Sequence, residues 1–191
     1  MMDLRFESLS PEQAAVSNAK IIITTEDEAQ IVNRKDVLLD SELGKYPVLL
    51  KAKMLRKVMG FQHDDQLTIG VDPGDRIGIS IIYLHDELDS FVETTPLSAF
   101  QLISTLLSEI NSQRKIVRIG DGNMAITRQI ASMIKGKFND LVHIEIVDEH
   151  GTSLPKCIDA NRRGVRDRSS ARVIALRGGR CFDQFRSHTR I

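Results

Sequence analysis

Four aspartates stand at positions where their carboxylates could together hold a cation. They are Asp72, Asp121, Asp148 and Asp167. The first three each follow a short apolar run typical of a β-strand, and the fourth precedes a segment with helical spacing. Crowded carboxylates repel one another, so such a cluster favours a bound cation, and hard oxygen ligands suit magnesium or manganese. Two such ions about 4 Å apart can activate water and stabilise the leaving oxygen in phosphodiester cleavage.

Each aspartate also has a simpler explanation. Asp72 precedes a Pro-Gly pair and could form a turn, as could Asp121 between two glycines. Asp148 is followed by Glu149, and one of the two could be solvated. Asp167 could be a favourable charge at the start of a helix. The prediction of a metal site therefore depends on the joint placement of the four residues.

The elements that must position these residues lie in the segment 66–191. Apolar patterns predict strands over 67–72, 77–84, 88–94, 116–120 and 143–147, with a turn at Asp86 and Glu87. They predict helices that begin at Thr95-Pro96, at 124 and at 167, with a loop over 151–166. Three strands followed by alternation of helix and strand predict an α/β fold, a mixed five-stranded sheet with helices on both faces. The strands ending at Asp72, Asp121 and Asp148 are expected to be parallel neighbours, so these carboxylates would meet at one edge.

The segment 1–65 is predicted to be a separate, small α/β region. Strands are expected over 21–23 and 37–39, and helices over 26–33 and 46–59. The polar stretch 62–66 is a plausible linker. The patterns assign this region no role, although it could bind a partner or form a homodimer.

Charge is unevenly spread along a chain of zero net charge. Residues 67–149 hold 7 basic and 12 acidic residues, whereas 150–191 hold 10 basic and 3 acidic residues. Four arginines surround Asp167 and are candidates for contact with nucleic-acid phosphates. They are Arg162, Arg163, Arg166 and Arg168. The alternative is a solvated segment that pairs with the acidic middle of the chain.

The amino-acid composition argues against several other kinds of protein. Aromatic residues make up 5% of the chain and Trp is absent, which argues against base stacking as the main mode of recognition. The apolar runs are too short for a transmembrane helix, and the first residues lack an apolar signal core. Cys157 and Cys181 form no CxxC pair, so we expect a cytoplasmic protein without a disulfide framework.

Three motifs resemble the RuvC and YqgF branch of the ribonuclease H-like superfamily. V-D-P-G-D-R-I-G at 71–78 is similar to the first-strand motif of Holliday-junction resolvases. V-D-E-H-G-T-S at 147–153 resembles the fifth-strand motif of the YqgF family, and R-D-R-S-S-A-R-V-I-A-L at 166–176 resembles its final helix. The resemblance covers about 67–179.

The resemblance implies a ribonuclease H-like domain with metal roles for Asp72, Asp148 and Asp167, and the same role for Asp121. It implies a magnesium- or manganese-dependent nuclease that acts on a DNA junction or structured RNA. Resolvases usually have Glu where this chain has Asp121, so a catalytically inactive protein that binds nucleic acid or another protein is the main alternative. An ATP-dependent fold of the actin or sugar-kinase type also opens with an Asp-x-Gly strand, but the chain is too short for its two lobes.

Overall fold

The computed structural model describes residues 6–42, 47–59, 65–150 and 163–183. The chain divides into two compact units, residues 1–63 and 64–191. In the described part of the chain, no helix is long and apolar enough to span a bilayer.

The N-terminal unit is a small β-α-β arrangement with flanking helices. Its elements are α1 (Pro11–Val16), β1 (Ile22–Thr24), α2 (Glu26–Val32), β2 (Val37–Leu39), a 3-10 turn (Asp40–Glu42) and α3 (Pro47–Met59). Strands β1 and β2 are parallel, and Ala14, Ile22 and Val32 form a buried cluster. Helix α1 was not predicted, although Ser10 and Gln13 make the reciprocal hydrogen bonds of a capping box there.

The second unit is built around a mixed sheet. Its strands are β3 (Gln66–Asp72), β4 (Ile77–Tyr83), β5 (Asp86–Glu93), β6 (Arg114–Gly120), β7 (His143–Val147) and β8 (Arg180–Cys181). Its helices are α4 (Pro96–Glu109), α5 (Met124–Phe138) and α6 (Arg163–Leu176), with a 3-10 turn at Asn139–Leu141. The strand order is β5-β4-β3-β6-β7-β8. Strands β3, β6 and β7 are parallel neighbours, as predicted, and the other pairings are antiparallel.

Helices cover both faces of this sheet, as the strand pattern predicted. Lys115 of β6 shares a face with its parallel partner Leu67 and donates a hydrogen bond to the Leu107 carbonyl of α4. Arg118, three residues further along β6, lies on the opposite face and donates to the Ala175 carbonyl of α6. Strand β3 is therefore buried on both sides, and every residue between Gln66 and Asp72 is buried, Thr68 and Gly70 included.

Helix α6 lies unusually close to the sheet because two strand residues have no side chain. A β-carbon on Gly70 would lie 2.1 Å from the carbonyl oxygen of Ala171, and one on Gly78 would lie 2.1 Å from that of Asp167. Neither distance leaves room for a methyl group. The pair of glycines therefore lets the backbone of α6, and with it Asp167, lie directly against β3 and β4.

Three details of the second unit differ from the prediction. The sheet has a sixth strand, β8, which at two residues is too short to produce a pattern. The hairpin turn is at Leu84 and His85, not at 86–87, because these non-glycine residues adopt the positive φ angles of a two-residue turn. Helix α6 begins at Arg163, so 163–166 is helical and not part of a loop; the rest of the predicted loop, 151–162, lies outside the described residues.

Substitution of Gly70 by Ala should destabilise the second unit by about 1–3 kcal/mol, because the added methyl group must push α6 away from β3. Gly136 in α5 has no atom within 4 Å of its missing β-carbon, so Gly136→Ala is the matched control. It should stabilise the helix by about 0.5–1 kcal/mol. Urea unfolding followed by circular dichroism measures both changes. A Gly70→Ala protein that unfolds at the wild-type urea concentration would show that this contact is not tight.

Candidate functional site

Asp72 lies at the carboxyl end of β3, on the sheet face that α6 covers. Its carboxylate accepts a hydrogen bond from the Ser170 side chain, which lowers its pKa. The opposing effects are larger: burial, then the negative charge of Glu149, then that of Asp167, together raise the pKa of Asp72 to about 7. The carboxylates of α6 and of the segment after β7 thus both act on Asp72 at this edge of the sheet.

Glu149 is held in a cradle made by the segment Gly120-Asp121-Gly122. β-Carbons on Gly120 and Gly122 would lie 1.8 Å and 2.3 Å from the two carboxylate oxygens of Glu149, so a larger residue at either position would displace that carboxylate. The backbone N–H of Glu149 donates to Asp121 Oδ1 at 3.0 Å. Burial raises the pKa of Glu149; the Gly122 N–H lowers it, and the charge of Asp121 raises it further.

Asp121 therefore positions Glu149 through a backbone hydrogen bond. Its own N–H continues the strand ladder by donating to the Val147 carbonyl. These two bonds join the end of β6 to the segment that follows β7. In this arrangement one carboxylate oxygen of Asp121 is engaged in holding the neighbouring segment.

Asp167 lies in the second turn of α6, where its side chain is 23% exposed. Its Oδ2 atom is buried and accepts no hydrogen bond from the residues that the structure describes. Arg76 Nε, in the turn between β3 and β4, lies 4.0 Å from that oxygen. A buried carboxylate oxygen without a hydrogen-bond donor is poorly compensated, and a bound cation would supply the missing interaction.

Asp148 is not part of this group. Its side chain is 61% exposed and accepts hydrogen bonds from the backbone N–H of His150 at 2.8 Å and from its ring nitrogen Nδ1 at 3.1 Å. The His150 backbone N–H, followed by the ring, lowers the pKa of Asp148. Arg177, the residue after α6, donates to the carbonyl oxygens of Asp148 and His150 and holds this turn in place.

The structure thus brings Asp72, Glu149 and Asp167 toward one another, and the motif prediction did not name Glu149. Strand alternation contained the missing signal. Glu145 of β7 is the partner of Arg118, whose side chain is on the α6 face. Continued alternation from Glu145 directs Glu149 to the face of Asp72 and Asp148 away from it.

The predicted phosphate-binding arginines are only partly described. Arg162 lies outside the described residues, and Arg163 is the first residue of α6. Arg166 and Arg168 are exposed on α6, and Arg168 Nε donates to the Gly164 carbonyl at 3.1 Å. The exposed pair places positive charge on the same helix as Asp167.

The oxygen atoms of Asp72, Glu149 and Asp167 are suitable ligands for a hard divalent cation, but the side chains are too far apart to hold one as they stand. The three carboxylates offer oxygen ligands, Asp167 Oδ2 accepts no hydrogen bond from the described residues, and Gly120 and Gly122 leave room for the Glu149 carboxylate. However, among the described residues no three His, Cys, Asp or Glu side chains are grouped closely enough to hold a metal ion. A cation would therefore have to draw these carboxylates closer together.

Comparison of the sequence with models of protein families and with curated proteins gave no match. A proposal for the function must therefore be based on the chemistry of the carboxylates and arginines described above.

Replacement of Glu149 by Gln should lower the pKa of Asp72 from about 7. It removes the neighbouring negative charge that has the larger effect on this pKa, and it keeps the shape of the side chain. Asp148→Asn, one residue away, is the matched control and should leave that pKa unchanged, because Asp148 is exposed and bonded to His150. Carbon-detected NMR titration of the Asp72 carboxyl group measures both. Equal decreases in the two variants would contradict this placement of Glu149.

Asp72 should also make stability depend on pH in metal-free buffer. The folded protein holds the Asp72 proton up to about pH 7, whereas the unfolded chain releases it near the ordinary value of about 4. The folded state thus binds more protons in this interval, and stability falls as pH rises through it. Asp72→Asn removes this loss, so its thermal midpoint should rise relative to wild type between pH 4 and pH 7. A constant difference across that range would contradict the raised pKa.

Proposed function

We propose that this protein is a metal-dependent nuclease that cleaves phosphodiester bonds in structured nucleic acid, with Asp72, Glu149 and Asp167 as ligands for magnesium or manganese. The observation that carries the proposal is the partly buried Asp72 carboxyl group, whose pKa is raised to about 7 by burial, Glu149 and Asp167. Burial of mutually repelling carboxylates is costly, and a site for a cation is a physical reason for it. The group lies where parallel strands end, which is the usual place for sites in α/β sheets.

The topology supports the ribonuclease H-like part of the proposal. An antiparallel β3-β4-β5 meander is followed by β6 and β7, which add in parallel beside β3. This is the order that the motif resemblance implies for a nuclease of the RuvC and YqgF branch. The proposed ligand set differs from the motif prediction at two positions. Glu149 takes the place of Asp148, and Asp121 becomes a positioning residue for Glu149 instead of a ligand.

Each residue of the site has a distinct part in this proposal. Asp72 and Asp167 offer carboxylate oxygens from β3 and α6, and Asp121 holds the backbone of Glu149 so that its side chain faces them. A bound metal ion would supply an activated water and charge stabilisation for the leaving oxygen. Exposed arginines of α6, including Arg166 and Arg168, would contact the phosphates that flank the cleaved bond.

A second candidate function is binding without catalysis. The observation that favours it is that no three acidic side chains among the described residues are grouped at metal-binding distance. In that case the basic face of α6 would hold nucleic acid while the carboxylates served only to position loops. Binding would then be insensitive to a chelator, whereas cleavage by the proposed nuclease requires the cation.

The test is cleavage of a panel containing a four-way DNA junction, single-stranded DNA and an RNA hairpin in magnesium or manganese. We expect the wild-type protein to cleave at least one member. Asp72→Asn and Glu149→Gln should each lose on the order of a hundredfold or more in rate, because each removes a proposed metal ligand. Asp148→Asn should keep most of the activity and serves as the control next to Glu149.

Two results would contradict the nuclease proposal. One is a wild-type protein that binds members of the panel but cleaves none of them with either metal, which favours the second candidate. The other is cleavage that persists unchanged in the Asp72→Asn protein, which would indicate a different site or a contaminating nuclease.

A further inference from the structure

Arg76 connects the turn after Asp72 to the first part of α6. Its Nη2 atom lies 3.7 Å from the position that a β-carbon on Gly164 would occupy, and its Nε atom lies 4.0 Å from Asp167 Oδ2. The side chain is half exposed. The guanidinium group therefore lies between solvent and the acidic residues Asp72, Glu149 and Asp167.

The pairing of Arg76 with Asp167 is incomplete. Asp167 Oδ2 accepts no hydrogen bond among the described residues, so this ion pair lacks the direct N–H···O contact that strong pairs have. Two other arginines near α6 do make it: Arg172 Nε lies 2.9 Å from Glu87, and Arg118 Nε lies 2.7 Å from Glu145. A long, half-exposed ion pair contributes little to stability, so Arg76 can leave Asp167 at small cost.

A second guanidinium group approaches the same residue of α6. Arg168 Nε donates to the Gly164 carbonyl, so both Arg76 and Arg168 lie close to Gly164. Guanidinium groups bind phosphate oxygens through paired N–H donors, and two of them on separate elements can hold one phosphate from two sides. The position is next to Asp167, at the rim of the proposed cation site.

We propose that Arg76 is a substrate-contacting residue that pairs with Asp167 while no cation is bound and, once a divalent cation takes that carboxylate, binds a nucleic-acid phosphate beside Arg168. This inference rests on the proposed function, since it requires both a cation and a phosphodiester substrate. The exchange of partners makes phosphate binding depend on the cation, because the cation releases the arginine. This exchange of partners forms and breaks no covalent bond.

The test compares wild type with Arg76→Ala, Arg76→Lys and Arg128→Ala. Arg128 is exposed on α5 and is the matched control for loss of one surface arginine. Affinity for Mn²⁺ is measured by electron paramagnetic resonance without nucleic acid. Affinity for a labelled four-way DNA junction and a labelled RNA hairpin is measured by stopped-flow anisotropy before cleavage proceeds, in Mn²⁺ and in chelator; the two substrates distinguish DNA from RNA as the source of the phosphate.

In Mn²⁺ we expect Arg76→Ala to weaken nucleic-acid binding about tenfold and to reduce the slope of its salt dependence by about one. In chelator the same variant should differ little from wild type, because Arg76 is then paired with Asp167. Its Mn²⁺ affinity should be equal to or tighter than that of wild type, since a competing positive charge is gone. Arg76→Lys should be intermediate, because it keeps the charge and loses the paired donors, and Arg128→Ala should match wild type.

Three results would overturn the inference alone while wild type still binds Mn²⁺ and nucleic acid: a loss in Arg76→Ala no larger than in Arg128→Ala, an equal loss with and without Mn²⁺, or a weaker Mn²⁺ affinity. A wild-type protein that binds neither Mn²⁺ nor nucleic acid would overturn the proposed function together with the inference.

Discussion

The close contact between α6 and the sheet is the constraint on which the candidate site depends. Gly70 and Gly78 leave no side chain between the strands and the helix, so the carbonyl oxygens of Ala171 and Asp167 come into the space that β-carbons would fill. Arg118 adds a hydrogen bond from β6 to the same helix. With the helix at this distance, an aspartate of α6 lies near the end of β3, and its charge acts on Asp72.

The same packing makes the carboxylates electrostatically costly. Helix α6 covers Asp72, and covering a carboxylate removes the water that would stabilise its charge. Glu149 brings a further negative charge, and its carboxylate occupies the space left by the missing side chains of Gly120 and Gly122. A fold that holds acidic groups together in this way concentrates negative potential at one edge of the sheet, which is the electrostatic basis of the proposed cation site.

Much of the second unit was predictable, because its elements have clear periodicity. The alternation of apolar residues predicted the parallel neighbours β3, β6 and β7, and with them the edge where Asp72 lies. The hairpin turn was misplaced because Leu84 and His85 adopt positive φ angles without glycine or asparagine. The start of α6 was placed at Asp167 because the arginine-rich residues before it show no clear helical period, whereas the helix begins one turn earlier.

Which acidic residues belong to the candidate site was harder to predict than where the site lies. Motif position pointed to Asp148, whereas strand alternation pointed to Glu149, and the two criteria differ by one residue. The cradle around Glu149 depends on contacts between the ends of β6 and β7, which lie 27 or more residues apart in sequence, such as the 3.0 Å bond from Glu149 to Asp121. Local patterns carry no information on such contacts, so the folded arrangement was needed to decide between the two criteria.

The most direct test of this carboxylate group is calorimetric titration of the metal-free protein with Mn²⁺ above pH 7, where Asp72 is ionised. We expect wild type and Asp148→Asn to bind the ion with similar affinity, and Asp72→Asn and Glu149→Gln to bind it much more weakly. Binding that is lost in Asp148→Asn but kept in Glu149→Gln would contradict the placement of Glu149 in the site. The absence of Mn²⁺ binding by the wild-type protein would contradict the metal site itself.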